Sequence, residues 1–281
     1  MKPYSVEEIL ETTGNLSYIP SVVIELNTVI AKADVKLNEI LLLIEKDQGI
    51  VSRVFKVANS SFYGRVKKAE NLKEAIVTLG LRGLQFLVID YAMKNILKNL
   101  KTKDDFLLRH AVKVSAASRI LAKKLQKNLF DDAAVSGVIH DIGKAFLINV
   151  YPDAYIQVQK GVQEDNIHPI DAERNVFGFD HTKVGELITN KWNFPQRLID
   201  VIHFHHCING NNDFLPESRK LIEIVKLADI LTNKYDKYSV LSENDVKEND
   251  FSRKLFDGKE DQIGNSVEEI KQEWEKGDTI M

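Results

Sequence analysis

All seven histidines of this 281-residue chain lie between His110 and His206, and the centre of that stretch reads HDIGK, residues 140–144. Imidazole nitrogens and carboxylate oxygens are donor atoms for divalent ions, provided they converge from separate elements. His110, the adjacent His140 and Asp141, and Asp229 supply such atoms in a suitable order, and His181 with the doublet His205-His206 adds enough for a second ion. A single buried histidine is usually just hydrogen-bonded in a core, so His168 and His203 are read as having no special role. His203 stands two positions before His205 and on a helix would point elsewhere.

The elements that must position these donors read as helices in series. From Glu74 to Leu97 the apolar residues keep mostly to three- and four-residue steps, and 38–45 and 51–58 are short apolar-rich stretches of the same kind. A polar segment, Asn99 to Asp105, is the expected domain boundary. Beyond it, Asp104 or Asp105 is placed to cap a helix carrying His110 to about Leu125, and Asp131 or Asp132 to cap the next, which Gly143 would end or bend. Asp180 heads a further amphipathic helix, Asn193-Phe194-Pro195 turns into 197–206, and 221–234 forms a helix carrying Asp229. Asn59, Ser60 and Tyr63 fit a turn in which Asn59 satisfies open backbone groups. No period-two strand pattern, internal repeat or Gly-rich phosphate loop is present, which predicts an all-α protein.

Composition bounds the function. A 44% hydrophobic content excludes disorder of the whole chain. The single cysteine, Cys207, excludes an intrachain disulfide and gives no sign of secretion. The N-terminal MKPYSVEEILETT lacks a signal peptide's apolar stretch, and the unbroken apolar runs are too short to cross a bilayer, so a cytoplasmic protein without membrane association is expected. The net charge of −3 is uneven: residues 236–281 hold 13 Asp/Glu against 7 Lys/Arg, leaving the body near neutrality with no nucleic-acid-sized basic surface. The basic stretch at 94–103 reads as a solvated helix end. In the acidic tail, Ser266 is placed to cap a helix to Lys276 with Glu269 at its third position, either docked through Trp274 or frayed.

The order His110, HDIGK at 140–144 and KLADIL at 226–231 resembles the HD superfamily of helical metal-dependent phosphohydrolases. A wider pattern is more specific: IPSVVIEL at 19–26, IEKDQGIVSRVFKVANSSFYG at 44–64, LKEAIVTLGLRGLQFLVI at 72–89 and DHTKVGELITNKWNFPQRLIDVIHFHH at 180–206. Together these are similar to HDOD proteins, the HD-related output domains of bacterial signalling, over residues 16 to about 235. The resemblance implies an N-terminal helical subdomain (1–100), an HD-like helical bundle (101–240) and an acidic tail (241–281). One small departure is Asp47-Gln48 where the family usually has Asp-Pro; proline is favoured in a first helical turn but not required.

What the resemblance implies for function divides in two. HDOD members usually act as regulatory outputs through protein partners and commonly lose part of the ligand set, whereas this chain keeps His110, His140, Asp141 and Asp229 together. The alternative is a phosphohydrolase acting on a nucleotide, cyclic dinucleotide or other phosphodiester. In that reading those four residues hold one ion, of iron, manganese or zinc, and Asp141 bridges to a second held by His181 and His205 or His206. Asp141 and Lys144 are then the catalytic candidates: a water acidified by the ions attacks phosphorus in line, and Lys144, about one turn on, pairs with a substrate phosphate. His181, His205 and His206 also occur in noncatalytic members, where packing would suffice to explain them. The doublet is followed by CINGNNDF, not by the glutamate and Gly-Tyr-Pro of HD-GYP phosphodiesterases, which argues against cyclic di-GMP hydrolysis of that type.

Overall fold

The computed structural model describes residues 4–14, 21–32, 34–60, 68–98, 106–165, 167–207, 213–238, 255–257 and 260–278. Among these, fourteen α-helices and two short 3-10 turns follow one another with no strand, as the periodicity predicts. The N-terminal half contains α1 (Val6–Gly14), α2 (Ser21–Ile30), α3 (Leu37–Ile44), α4 (Gln48–Ala58) and α5 (Leu72–Lys98), the last kinked at Gly80 where φ is 70°. Asp47 caps α4 by accepting from the Ile50 amide at 3.0 Å, so the missing proline costs the helix nothing visible. Asn59 ends α4 and reaches across to Ala69, accepting its amide proton at 2.7 Å and fixing the turn there. Tyr63, the segment 99–105 with its expected boundary, and the caps Asp104 and Asp105 lie outside the described residues.

The histidine-bearing half comprises α6 (Phe106–Leu125), α7 (Phe130–Ile139), α8 (Ile142–Val150), α9 (Pro152–Gln163), α10 (Pro169–Phe177), α11 (His181–Lys191), α12 (Gln196–Phe204) and α13 (Arg219–Tyr238). Asp180 heads α11 as expected, accepting from the amides of Thr182 and Lys183 at 3.0 and 3.2 Å. Asp131 and Asp132 do not cap α7. They sit inside its first turn, where Asp132 is buried and paired with Arg82 and Arg197. Gly143 does not terminate a helix either: the break falls at His140-Asp141, and Gly143 lies within α8.

The tail forms α14 (Glu260–Asp278), which starts six residues before the expected cap. Ser266 is therefore interior, and its hydroxyl donates to the Gln262 carbonyl at 2.7 Å. The open alternative resolves as docking: Trp274 is 1% exposed, donates its indole N–H to the Lys113 carbonyl of α6 at 2.9 Å, and packs on Tyr235 of α13.

One apolar core runs from Ile9 through α2–α5 into α7–α12, reaching Ile202, so the two halves share it. A second core joins α6, α13 and α14 around Leu121, Leu221, Leu227 and Trp274. Leu72–Lys98 and Lys127–Val150 have the length and apolar content to cross a bilayer, but 56% and 78% of their most apolar windows are buried inside the protein. Burial of that extent is how core helices read.

Candidate metal centre

Two close helix approaches assemble the site. A Cβ at Gly137 would lie 2.6 Å from Ser115 Cα, so only glycine lets α7 press against α6 at the level that sets His140 beside His110, with ring centroids 5.3 Å apart. A Cβ at Gly143 would overlap the His181 carbonyl; its absence lets α8 approach the N-terminus of α11 and brings His181 to Asp141. Asp141, at the α7–α8 junction, thus faces both helices.

The seven histidine and aspartate donors singled out by the sequence converge. Their ligand atoms form two groups, each within a 4.8 Å span: His110, His140 and Asp229, and Asp141, His181, His205 and His206. Asp141 lies between them. Its Oδ2 is 3.7 and 3.4 Å from Nε2 of His110 and His140, and its Oδ1 is 3.2 and 3.6 Å from Nε2 of His181 and His205. Asp229 Oδ1 is 3.1 and 3.7 Å from Nε2 of His110 and His140. The partition differs from the expected one in two respects: Asp141 groups with the second set, and both members of the doublet join it rather than one. His203 turns away to Glu186 at 3.2 Å, and His168 lies outside both groups with its ring edge on His206.

The ring orientations are fixed from behind. Nδ1 of His140 faces the Gly137 carbonyl at 2.9 Å, Nδ1 of His205 faces the Val201 and Ile202 carbonyls at 3.2 and 3.0 Å, and Nδ1 of His181 faces Glu173 Oε2 at 2.6 Å. Those acceptors commit each Nδ1 to a proton and leave Nε2 as the variable nitrogen, to carry a second proton or a metal. Nε2 of His140, His181, His205 and His206 and Oδ1 of Asp141 are buried and, among the described residues, have no hydrogen-bond partner beyond the histidine–carboxylate contacts of the cluster itself. Inward-facing lone pairs spaced close to the ~3.3 Å edge of a tetrahedron with ~2.0–2.1 Å ligand bonds are what a divalent ion requires, and the donor set fits one.

Charge follows the same layout. Burial opposes a proton on His140, but the Asp141 and Asp229 carboxylates outweigh it and raise the imidazolium to about 10. Burial likewise opposes ionisation of Asp141 and Asp229, yet both carboxyls are held well below the usual range, Asp141 by His140 and Lys144, Asp229 by His110 and His140. Burial keeps His205 neutral, lowering it to about 4, and depresses His206 further. Lys144, read as a phosphate ligand, has its Nζ 2.6 Å from Asp141 Oδ2, an ion pair that competes with that role.

Three residues of the site carried no signal in the sequence. Glu173 is fully buried, accepts the His181 amide at 2.8 Å as well as its ring, and takes the Tyr155 hydroxyl at 3.3 Å. Burial and the neighbouring Glu173 and Asp141 charges push the Tyr155 phenol well above its ordinary value. Asn233, one turn after Asp229 on α13, donates to Asp229 Oδ1 at 2.7 Å. A cleft of ≈ 360 Å³ opens on one side of the cluster, lined by His110, Asp141, Lys144, Tyr155, Phe106 and Gln159 among others.

A family model described as the HDOD domain matches residues 16–208. An uncharacterized protein of Treponema pallidum (strain Nichols) is 28% identical over 224 residues, covering 79% of this chain and 43% of its own length. The chain thus spans less than half of that relative. Among solved structures, an HDOD domain protein of unknown function from Geobacter sulfurreducens superposes with a TM-score of 0.69 at 22% identity, covering 96% of each chain. A proposed phosphohydrolase from Shewanella amazonensis SB2B gives 0.64 at 20% identity, covering 95% of this chain and 98% of that one. At these identities the structural likeness concerns the fold.

Proposed function

This chain belongs to the HDOD domain family, and from that premise we propose that it is a cytoplasmic signalling output module, acting through protein partners, that retains a buried divalent-metal centre. The carrying observation is the convergence of His110, His140, Asp141, His181, His205, His206 and Asp229 from five separate stretches of a helical chain, with Nε2 of four imidazoles buried in the cluster. Burying that many imidazoles and carboxylates in one place is costly, and a bound cation offsets the cost. In this reading Asp141 bridges the two donor groups, and iron, manganese or zinc is the ion, because imidazole with carboxylate suits all three.

A second reading, metal-dependent hydrolysis of a phosphate ester, is favoured by the cleft that opens on His110, Asp141 and Lys144. A metal bound there supplies Lewis-acid polarisation and neutralises charge on phosphoryl oxygens. The protein's own contribution is positional. Phe106, whose ring stacks on His110 at 6.0 Å, gives a nucleobase or other planar group an apolar wall, Gln159 offers an amide, and Lys144 is the cation on the cleft floor.

Elemental analysis of the purified protein and of its His140→Ala and Asp141→Ala variants tests both readings. Iron, manganese or zinc in the parent and not in Asp141→Ala, whose carboxylate faces both donor groups, supports the metal centre, His140→Ala reporting only on its own half; absence from the parent, with none regained on reconstitution, removes it. Metal present without turnover on a panel of nucleotides and phosphodiesters leaves the signalling module. Turnover lost in Asp141→Ala establishes the enzyme.

A further inference from the structure

Resting on the metal centre proposed above, we infer that its two halves are unequal: Asp141 Oδ1 with His181, His205 and His206 is the half that takes the first ion, and Glu173 is the positioning residue that makes it the tighter one. This reverses the ranking expected from the HDIGK motif, in which His110, His140, Asp141 and Asp229 hold the primary ion.

The difference lies in what already touches the carboxylate oxygens. On the His110–His140 side, Asp229 Oδ1 accepts from Asn233 at 2.7 Å, and Asp141 Oδ2 accepts from the Lys144 ammonium at 2.6 Å. An ion placed there must share Asp141 Oδ2 with a buried cation or displace it, and two cations on one oxygen repel. On the other side Asp141 Oδ1 meets no ammonium among the described residues; its partners are Nε2 of His181 and His205 at 3.2 and 3.6 Å, the nitrogens an ion would itself bind. This half also offers three imidazoles where the first offers two.

Glu173 adds the second asymmetry. Its Oε2 accepts both the backbone N–H and the Nδ1–H of His181, at 2.8 and 2.6 Å, so one oxygen fixes the ring's position and its tautomer. A carboxylate behind a ligand imidazole raises the basicity of the opposite nitrogen, and the loss of such a partner commonly weakens metal binding by about 10- to 100-fold. Behind His140, among the described residues, stands the Gly137 carbonyl, a weaker acceptor. Glu173 is itself held by Tyr155, whose ring lines the cleft, so the orienting carboxylate is fixed at both oxygens.

The test is a calorimetric titration of the chelator-stripped full chain with Zn²⁺, with the ions retained after desalting counted. The parent is expected to retain one ion and His181→Ala none. Glu173→Ala should weaken that ion by about 10- to 100-fold, with Glu173→Gln, which keeps an acceptor for His181 Nδ1–H, lying between. His110→Ala and Asp229→Asn should keep the first ion, and Lys144→Met should raise the retained count to two. Melting curves of each variant report folding; if Glu173→Ala unfolds, Glu173→Gln carries the comparison. First-ion loss in His110→Ala with retention in His181→Ala overturns the ranking while leaving the metal centre standing. So does parent-like binding by a folded Glu173→Ala or, in its place, Glu173→Gln. A parent that retains no ion overturns the ranking and the metal centre together.

Discussion

Asp132 accepts a hydrogen bond from Arg197 at 2.7 Å, tying the first turn of α7 to the first turn of α12. Eight residues beyond Asp132 stands His140, and eight beyond Arg197 stands His205, so each candidate ligand sits about 12 Å along its helix from the shared clamp. Arg82 of α5 grips the same carboxylate oxygen, which connects the N-terminal half to both histidine-bearing helices. The clamp has an unequal pair of arms: Arg82 is 55% exposed and Arg197 27%.

That inequality gives a stability prediction. Arg197→Met leaves the buried Asp132 with one partly solvated partner and should cost about 2–4 kcal/mol, whereas Arg82→Met should cost less than about 1 kcal/mol. Urea unfolding of the two variants checks it, and the reverse order would refute the clamp as described.

Metal linkage should be visible as heat stability. An ion at 100 times its dissociation constant adds about 2.7 kcal/mol, which for a chain of this size shifts the midpoint by about 5–10 °C. Differential scanning of the protein with added Zn²⁺ and with chelator measures it; superimposed melts would count against a folded-state site.

The metal-free protein should be most stable near pH 6.5 as far as its histidines decide. His140 titrates at about 10 when folded against about 6.5 unfolded, so its contribution is complete below pH 6.5 and is lost as pH rises towards 10. His205 titrates at about 4 when folded, so the unfolded chain takes up the extra proton and stability falls as pH drops from 6.5 to 4. Because an ion on the His110–His140 side must displace the His140 proton, binding of the second ion, expected in Lys144→Met, should release a proton between pH 7 and 9, measurable by titration in buffers of different ionisation enthalpy. Binding of that second ion without proton release would exclude His140 as its ligand.

Trp274→Ala should undock α14 from α6 and α13 at a cost of about 3–5 kcal/mol, the ordinary penalty for emptying an indole site. Trp274→Phe should cost less, losing chiefly the hydrogen bond to Lys113 and some packing. Near-ultraviolet dichroism and urea midpoints distinguish the two; equal, negligible effects would show a tail that does not contribute to the fold.

Gly143→Ala should open the α8–α11 contact, since the added methyl meets the His181 carbonyl, a backbone atom that cannot rotate aside. Destabilisation of about 1–3 kcal/mol and weakened Zn²⁺ binding are expected together. An unaffected affinity would show that Asp141 and His181 do not depend on that approach.

Local chemistry made much of the molecule legible in the chain. Helical periodicity gave α5 and α13, Asp180 gave the start of α11, and the donor types at His110, His140, Asp141, His181, His205, His206 and Asp229 marked the residues that meet. The failures were of one kind. Asp131, Asp132 and Ser266 are good capping residues by type, but Asp132 is drawn to two arginines 50 and 65 positions away, and Ser266 is carried inside a helix whose packing through Val267, Ile270 and Trp274 extends it. A surface-type residue such as Glu173 shows nothing in sequence of the histidine behind which it is buried.

The chain by itself determined which atoms are available for a metal centre and that they ride on helices, because donor type and helical period are properties of a residue and its neighbours. Only the tertiary structure decided how those atoms are shared. The two oxygens of Asp141 face different histidine groups because Gly137 and Gly143 allow two helix contacts at particular depths, and Lys144 occupies one of those oxygens. Such distances arise from side chains interlocking across tens of residues, for which a linear pattern has no period.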